Sequence, residues 1–173
     1  MWGFLSMNKQ FNEIKWLEKY VGKSIEKANL QNIRNFVFFW SLFESKVCKN
    51  SANVNSICDK VDELASKGRL SIVDYNEFYK YFKERYVSSG KINYKFNSLS
   101  FRSNDKKELV KKVLESDECD TGIVIKALLI IVYRLRNNLF HGTKRIETLD
   151  TQIDNFKITN KLLATVIEQY DQS

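Results

Sequence analysis

The chain contains no proline, and this absence constrains its fold more than any other feature of the sequence. Proline ends or kinks helices, and proline and glycine together mark the tight turns of sheet-rich proteins. With no proline and only six glycines in 173 residues, long helices are possible and a fold rich in hairpins is disfavoured. The sequence therefore predicts an all-α protein. Because the length suits one domain, we expect residues 1–173 to form a single antiparallel bundle of four to five long helices plus short ones.

Apolar residues at spacings of three and four predict where the helices lie. The predicted helices cover residues 8–21, 30–49, 53–67, 74–86, 105–115, 121–141 and 147–170. The apolar run at 36–43 predicts that the second of these is the central helix of the bundle. Gly22 and Gly142 are stop signals after the first and sixth helices, whereas Asp105 and Thr121 are the expected N-caps of the fifth and sixth.

The net charge of +7 comes from one segment of the chain. Residues 80–112 hold ten Lys and Arg against three Asp and Glu, and the rest of the chain has equal numbers of each sign. Such an excess is typical of a surface that binds a polyanion such as RNA, although a solvated basic loop is the alternative. The residues expected to contact phosphates are Lys91, Lys95, Arg102, Lys106, Lys107, Lys144 and Arg145.

Residues 88–104 have the weakest helical pattern. Ile92, Tyr94 and Phe96 alternate with polar residues, which favours a short extended piece lying over the bundle. Tyr94, Phe96 and Phe101 also interleave with basic residues, a mixture that can stack bases while holding phosphates. Aromatic residues at this density can equally belong to the core.

The cysteines and the apolar runs indicate a cytoplasmic protein that does not enter a membrane. Cys48, Cys58 and Cys119 are an odd count without metal-ligand or redox spacing, so we expect reduced thiols. The apolar runs at 36–43 and 122–133 are shorter than the ~20 residues that a bilayer crossing needs.

His141 is the only histidine, and so the only side chain whose unperturbed pKa lies near neutrality. On a regular helix three polar residues share its face, at seven, four and three positions before it: Arg134, Asn137 and Asn138. Arg136 lies about 140° round the helix from His141. It reaches the histidine only if the last turn loosens, or if a second chain completes the site. A helix end lined with cations is the alternative interpretation.

The residues from Tyr133 to Gly142, YRLRNNLFHG, resemble the signature of HEPN domains. In that superfamily four to six residues stand between an arginine and a following histidine, and a polar residue, often Asn, follows the arginine. Arg136 and His141 have the four-residue spacing, whereas Arg134 would give the six-residue one. We favour Arg136 because Asn137 follows it directly. The likeness is strong over this helix and only general, as a helical bundle, over the rest.

The resemblance implies a metal-independent endoribonuclease with no cofactor, in which two motifs of a homodimer face each other. The RNA 2′-OH would attack the adjacent phosphate, leaving a 2′,3′-cyclic phosphate and a 5′-hydroxyl. His141 would move protons, Arg136 would stabilise charge on the phosphate, and Asn137 would orient the histidine or contact the phosphate. Arg134 and Asn138 are possible supporting residues.

The family context implies a toxin, antiphage defence or stress response, with an antitoxin or regulatory protein as a possible partner. Family toxins that pair with a nucleotidyltransferase antitoxin have a tyrosine two residues after the histidine. Here that position is Thr143, which disfavours that kind of partner.

Glu44 is a further candidate, because HEPN-like proteins can place an acidic residue from an earlier helix near the motif. It ends the most apolar helix, so it can instead mark the return to solvent or pair with Arg34 or Arg134. Two other functions stay open: a non-catalytic HEPN-like module that binds RNA or protein, and a purely structural helical adaptor.

Overall fold

The computed structural model describes residues 11–117, 120–140 and 151–172, and in them it is an all-α helical bundle, as predicted. The helices are α1 Glu13–Val21, α2 Lys27–Leu42, α3 Val54–Ser66, α4 Ile72–Tyr86, α5 Tyr94–Asn97, α6 Lys107–Glu115, α7 Thr121–Phe140 and α8 Ile153–Asp171. A π-helical turn, Phe43–Val47, extends α2. Two short strands, β1 Val87–Ser88 and β2 Lys91–Ile92, pair antiparallel, with Val87 opposite Ile92.

Local signals explain several of the helix ends. Asn53 caps α3 by accepting hydrogen bonds from the backbone N–H groups of Asn55 and Ser56, and the Ser56 hydroxyl accepts in return from the Asn53 N–H. Gly22 ends α1 in the left-handed conformation that glycine adopts without steric cost, as the sequence predicts. The predicted stop at Gly142 lies outside the described residues.

The two predicted N-caps are wrong, because neighbouring residues take their places. Asp120 Oδ1 accepts a hydrogen bond from the Ile123 N–H, so Asp120 caps α7 and Thr121 is already helical. The flanking residue of α6 is Lys106, in the left-handed conformation, rather than Asp105. The Asp105 carboxylate instead accepts from the Arg102 N–H and pairs with Arg134 of α7.

Residues 88–104 form a hairpin, a helical turn and a loop rather than one extended piece. Val87 and Ile92 pair across the hairpin, and α5 follows at once, its start capped by the Asn93 side chain. The alternation of Ile92, Tyr94 and Phe96 spans this change from strand to helix, so it does not report a continuous strand. Phe96 is fully buried and Tyr94 is 78% exposed.

The helices pair in both directions. The Tyr81 hydroxyl donates to Asn155 Oδ1 at 2.9 Å, and Tyr75 bonds to Gln169 at the other end, so α4 and α8 are antiparallel as predicted. By contrast, α2 and α8 run in the same direction. The Asn160 amide donates to the Asn32 carbonyl near the start of both, and Lys46 meets Asp171 at 2.9 Å just beyond α2.

The central helix of the bundle is α7 rather than the predicted α2. Twelve of its twenty residues are buried, and α3, α4 and α6 all pack against it. In α2 only Phe36 and Trp40 are buried, and Phe38 is 71% exposed, because no described element covers the outer face of that helix. None of the described helices combines the length and the apolar character required to cross a membrane.

Candidate functional site

The last two turns of α7 carry the residues that the sequence singles out, and they divide into two groups. Arg134 belongs to the first group and is 3% exposed. Its guanidinium lies 2.9 Å from the Asp105 carboxylate, and both side chains of this ion pair are almost fully buried. Arg134 also donates to the Leu99 carbonyl at 3.1 Å and to the Ser100 carbonyl at 2.6 Å. It therefore fastens residues 99–105 onto the bundle.

Asn138 reinforces the same attachment one turn later. Its amide donates to the carbonyls of Ser98 and Leu99, both at 3.1 Å, and Asn138 is 2% exposed. Asp105 completes the loop by accepting from the Arg102 backbone N–H at 2.6 Å. These contacts give Arg134 and Asn138 a structural function, and their supporting role in a site stays a prediction.

Arg136 has different surroundings, although it is only two residues from Arg134. Its guanidinium carbon lies 5.7 Å from the ring centre of Trp40 and 5.0 Å from that of Phe140, within the range of cation–π interaction. One guanidinium N–H donates to Asn137 Oδ1 at 3.1 Å. Among the described residues no carboxylate lies within ion-pair distance of Arg136. The cation is held in place by aromatic faces and keeps donors for another group.

Two buried N–H donors in this cluster lack an acceptor, as does Arg134 Nη1, whose contact with Asp105 is an ion pair without hydrogen-bond geometry. The Nε atom of Arg136 and the indole Nε1 atom of Trp40 have no hydrogen-bond partner in the described part of the chain. An unsatisfied buried donor typically costs about 1–3 kcal/mol, so native proteins rarely keep one without a reason. Phe140, which contacts the Arg136 guanidinium, is 53% exposed, so the cluster lies next to solvent.

Asn137 lies under this cation and is 5% exposed. Its carbonyl oxygen accepts from Arg136, which fixes the direction of the guanidinium. The predicted partner His141 lies outside the described residues, as do Thr143, Lys144 and Arg145. The predicted convergence of Arg136 and His141 therefore stays a prediction.

Glu44 forms no ion pair with Arg34 or Arg134, the two partners that the sequence left open. Arg34 bonds to Glu13 at 3.2 Å, and Arg134 bonds to Asp105. Glu44 lies in the π-helical turn, a local irregularity that often occurs at functional sites. Its charge acts on Cys48: burial raises the pKa of that thiol to about 11, and the Glu44 carboxylate contributes to the rise. A role for Glu44 beside Arg136 stays a prediction.

The basic residues of the 91–107 region are available to an external anion. Lys95, Arg102, Lys106 and Lys107 are exposed and have no carboxylate partner among the described residues, whereas Lys91 lies 3.9 Å from Glu115. Because Arg134 and Asn138 fasten the loop that carries Arg102, this basic region is held next to the end of α7.

The three aromatic residues of this region have different functions. Phe96 is fully buried and packs against Phe101 at 5.1 Å between ring centres, so it belongs to the core and cannot stack on a base. Tyr94, at 78% exposed, presents its ring to solvent. Of the three aromatic residues predicted to stack on bases, Tyr94 is the exposed one.

No family model, curated protein or solved structure matches this chain. The residues and their geometry therefore carry the functional interpretation.

The motif in the sequence does not mark the residues that distinguish the two arginines. Trp40 and Phe140 hold Arg136, and Asp105 holds Arg134. Phe140 lies at the position four after Arg136, where helical side chains meet, so its contact could have been found from spacing. Trp40 and Asp105 come from distant parts of the chain, and nothing in the local pattern marks them.

Proposed function

We propose that the protein is a metal-independent endoribonuclease of the HEPN type, with Arg136 as the residue that binds the reacting phosphate. The observation that carries the proposal is the surroundings of Arg136: a guanidinium held on two aromatic rings, with no carboxylate partner among the described residues. Because structural arginines in protein interiors are normally paired, as Arg134 is, an ordered but unpaired arginine suits an external anion.

The proposed chemistry is attack of the RNA 2′-OH on its own 3′ phosphate. Arg136 would donate to the non-bridging phosphate oxygens, on which charge builds in the transition state. His141 would accept the proton of the 2′-OH or return one to the leaving 5′ oxygen. Asn137 would direct the Arg136 guanidinium, which it already contacts. The expected products are a 2′,3′-cyclic phosphate and a 5′-hydroxyl.

The substrate in this proposal is single-stranded RNA, held by the basic region. Lys91, Lys95, Arg102, Lys106 and Lys107 would attract the phosphates that flank the cleaved bond. Lys144 and Arg145, just past the motif, would extend that surface. The exposed ring of Tyr94 is suited to stack on one base.

The proposal includes a homodimer in which two motifs form one composite cleft. Dimerisation would bring a second Arg136 and His141 to the same phosphate, which resolves the 140° separation that helical geometry puts between them. We further propose a cytoplasmic toxin, defence or stress function, under the control of an antitoxin or another regulatory protein.

The test is RNA cleavage by the purified protein in excess EDTA. We expect the natural chain to cut single-stranded RNA to cyclic-phosphate ends. Arg136→Ala and His141→Ala should each lower the rate by about 100-fold or more. Arg34→Ala, which removes an exposed arginine far along the chain, is the matched control and should cut at the natural rate. No cutting by the natural chain, or equal cutting by all four proteins, would contradict the proposal.

The second candidate function is a non-catalytic RNA-binding module of the same type. The observation that favours it is the structural use of Arg134 and Asn138, which removes half of the polar face from any site. In the same assay it predicts RNA binding that Arg136→Ala weakens, without cleavage by the natural chain.

A further inference from the structure

A cavity of about 320 Å³ lies beside the end of α7, and the proposed function does not use it. Its volume is within the range of roughly 300–1,000 Å³ that is usual for ligand pockets. Its lining comes from the start of α3, the loop before α6 and one residue of α7: Asn53, Val54, Asn55, Asn104, Asp105 and Tyr133.

The cavity offers neutral hydrogen-bonding groups rather than charge. Asn55 and Asn104 are exposed, and among the described residues their side-chain amides make no hydrogen bond. Asp105 is already bound to Arg134 and to the Arg102 N–H, so its charge is neutralised. No lysine or arginine is among the lining residues. Free amides beside an aromatic ring suit a planar, uncharged heterocycle, because each amide has both a donor and an acceptor.

Tyr133, which lines the cavity, and Arg136 both contact the indole of Trp40. The ring centres of Tyr133 and Trp40 are 6.1 Å apart, and the Arg136 guanidinium carbon is 5.7 Å from the Trp40 ring centre. Tyr133 and Arg136 are three residues apart on α7, so they are neighbours along one side of the helix. A phosphate at Arg136 would therefore have this cavity within the reach of its own nucleotide.

The backbone on both sides of the cavity is fixed before any ligand arrives. The buried ion pair between Arg134 and Asp105 fixes the loop that carries Asn104. On the other side, the side-chain carbonyl oxygen of Asn53 accepts from two N–H groups at the start of α3, one of them that of Asn55. A fixed backbone lowers the ordering entropy lost on binding, and only the Asn55 and Asn104 side chains have to order against a base.

We propose that this cavity binds the nucleobase of a nucleotide whose phosphate lies at Arg136, and that Asn55 and Asn104 read the edge of that base. The inference rests on the proposed function for the phosphate at Arg136, and it adds a base preference to that site. Tyr133 supplies the aromatic wall against which the base lies.

The experiment measures binding of fluorescein-labelled pentanucleotides by fluorescence anisotropy. Each probe has one 2′-deoxy nucleotide at its centre, with A, C, G or U as the base, and abasic residues at the other four positions. A fifth probe is abasic throughout. None has a 2′-OH, so none can be cut by the proposed chemistry.

We expect the natural chain to bind at least one of the four base-containing probes about ten-fold more tightly than the abasic probe. A double variant, Asn55→Ala with Asn104→Ala, should bind all five probes equally. Asn76→Ala, which removes an exposed asparagine on α4, is the matched control and should keep the preference. Arg136→Ala should weaken all five probes by a similar factor and leave the ratio between them.

The outcomes separate this inference from the proposed function. A base preference that depends on Asn55 and Asn104, in a protein that does not cut RNA, would support the cavity and contradict the ribonuclease. RNA cleavage without such a preference would contradict base binding in the cavity and leave the ribonuclease proposal intact. Equal binding of the five probes by the natural chain, no measurable binding, or a preference that survives the double variant would each overturn the inference.

Discussion

Arg134 and Arg136 are separated by one residue on the same helix, and their surroundings are opposite. Arg134 is buried, paired with Asp105 and bonded to two backbone carbonyls. Arg136 lies between the rings of Trp40 and Phe140 and has no carboxylate partner among the described residues. Both satisfy the spacing of the motif in the sequence. The partners of an arginine, rather than its distance from a histidine, therefore separate a structural cation from one that can bind an anion.

The largest effect on stability is expected for Arg134→Ala. This change leaves the Asp105 carboxylate buried and unpaired. The Ser100 carbonyl loses its Arg134 donor, and the Leu99 carbonyl keeps only the Asn138 amide. Removing one partner of a buried ion pair typically costs about 3–5 kcal/mol in the free energy of unfolding. Chemical denaturation monitored by circular dichroism would measure it.

Arg136→Ala is the matched control, because it removes the same side chain two residues away. It should cost about 1–2 kcal/mol, the usual worth of partly buried cation–π contacts, because no buried carboxylate loses its partner. Equal decreases in stability for the two variants would break the comparison between a structural and an available arginine.

The two asparagines extend the comparison with a smaller effect. Asn138→Ala should lower the free energy of unfolding by about 1–3 kcal/mol, because the Ser98 and Leu99 carbonyls would then lack the Asn138 donor. Asn137→Ala should cost less, since Asn137 Oδ1 bonds to the side chain of Arg136 rather than to the backbone of another element. The same denaturation experiment compares them, and a larger decrease for Asn137 would place it in the structural group.

Substitutions in the basic region test whether the loop that Arg134 and Asn138 attach to the bundle faces RNA. A triple variant, Lys95→Ala with Arg102→Ala and Lys106→Ala, should flatten the dependence of RNA affinity on salt concentration. The slope of log affinity against log salt should become shallower by about 0.7 for each phosphate that the variant no longer neutralises. Binding of a single-stranded oligonucleotide at several salt concentrations measures it. A control variant that neutralises Lys15, Lys46 and Lys157 should keep the natural slope. The same slope in the natural chain and in the Lys95, Arg102 and Lys106 variant would exclude the basic region as the RNA surface.

The smallest expected effect is that of Glu44 on the pKa of Cys48. The sequence left Arg34 and Arg134 open as partners of Glu44. Burial and the Glu44 charge raise the pKa of the Cys48 thiol to about 11, so this thiol stays protonated in the folded protein at neutral pH. Below pH 9 the neutral thiol stabilises the fold relative to the unfolded chain, and this contribution is lost as the pH rises through 11.

Glu44→Gln should lower the pKa of Cys48, because it removes a negative charge that disfavours the thiolate. The carbon-13 NMR shift of the Cys48 Cβ, followed against pH, would measure the change. Glu77→Gln is the control, since Glu77 bonds to Lys161 and is not among the groups that act on Cys48. An unchanged Cys48 titration in Glu44→Gln would show that the Glu44 carboxylate acts elsewhere.

Local sequence signals predicted most of the fold. The absence of proline, the Gly22 stop and the spacing of apolar residues indicated the helices, with ends within two residues of those observed for α3, α4, α6 and α7. The predicted starts of α1 and α8 and both predicted ends of α2 differ by more. The identity of the central helix was wrong, because burial depends on which helices pack together. Phe38 belongs to the most apolar run of the chain and is 71% exposed, whereas α7 is enclosed by three other helices.

The position of the candidate site could be predicted from the sequence. Which of its two arginines is structural and which is available to a ligand could not. The motif pointed to the end of α7, where Arg134 and Arg136 have equivalent local patterns. Asp105 and Trp40 decide between them, and they lie 29 and 96 residues away along the chain from Arg134 and Arg136 respectively. Contacts over such separations are set by packing, which a single sequence does not record.

The most direct test of the account measures stability and RNA cleavage together on two conservative variants. Lysine keeps the charge but lacks the planar fork of arginine, so it replaces neither the bonds of Arg134 nor the proposed phosphate contacts of Arg136. We expect Arg134→Lys to unfold more easily yet cut RNA at the natural rate per folded molecule in EDTA. We expect Arg136→Lys to keep the natural stability and lose most of its cleavage. The reverse pattern, or two variants that lose both properties alike, would contradict the assignment of structure to Arg134 and function to Arg136.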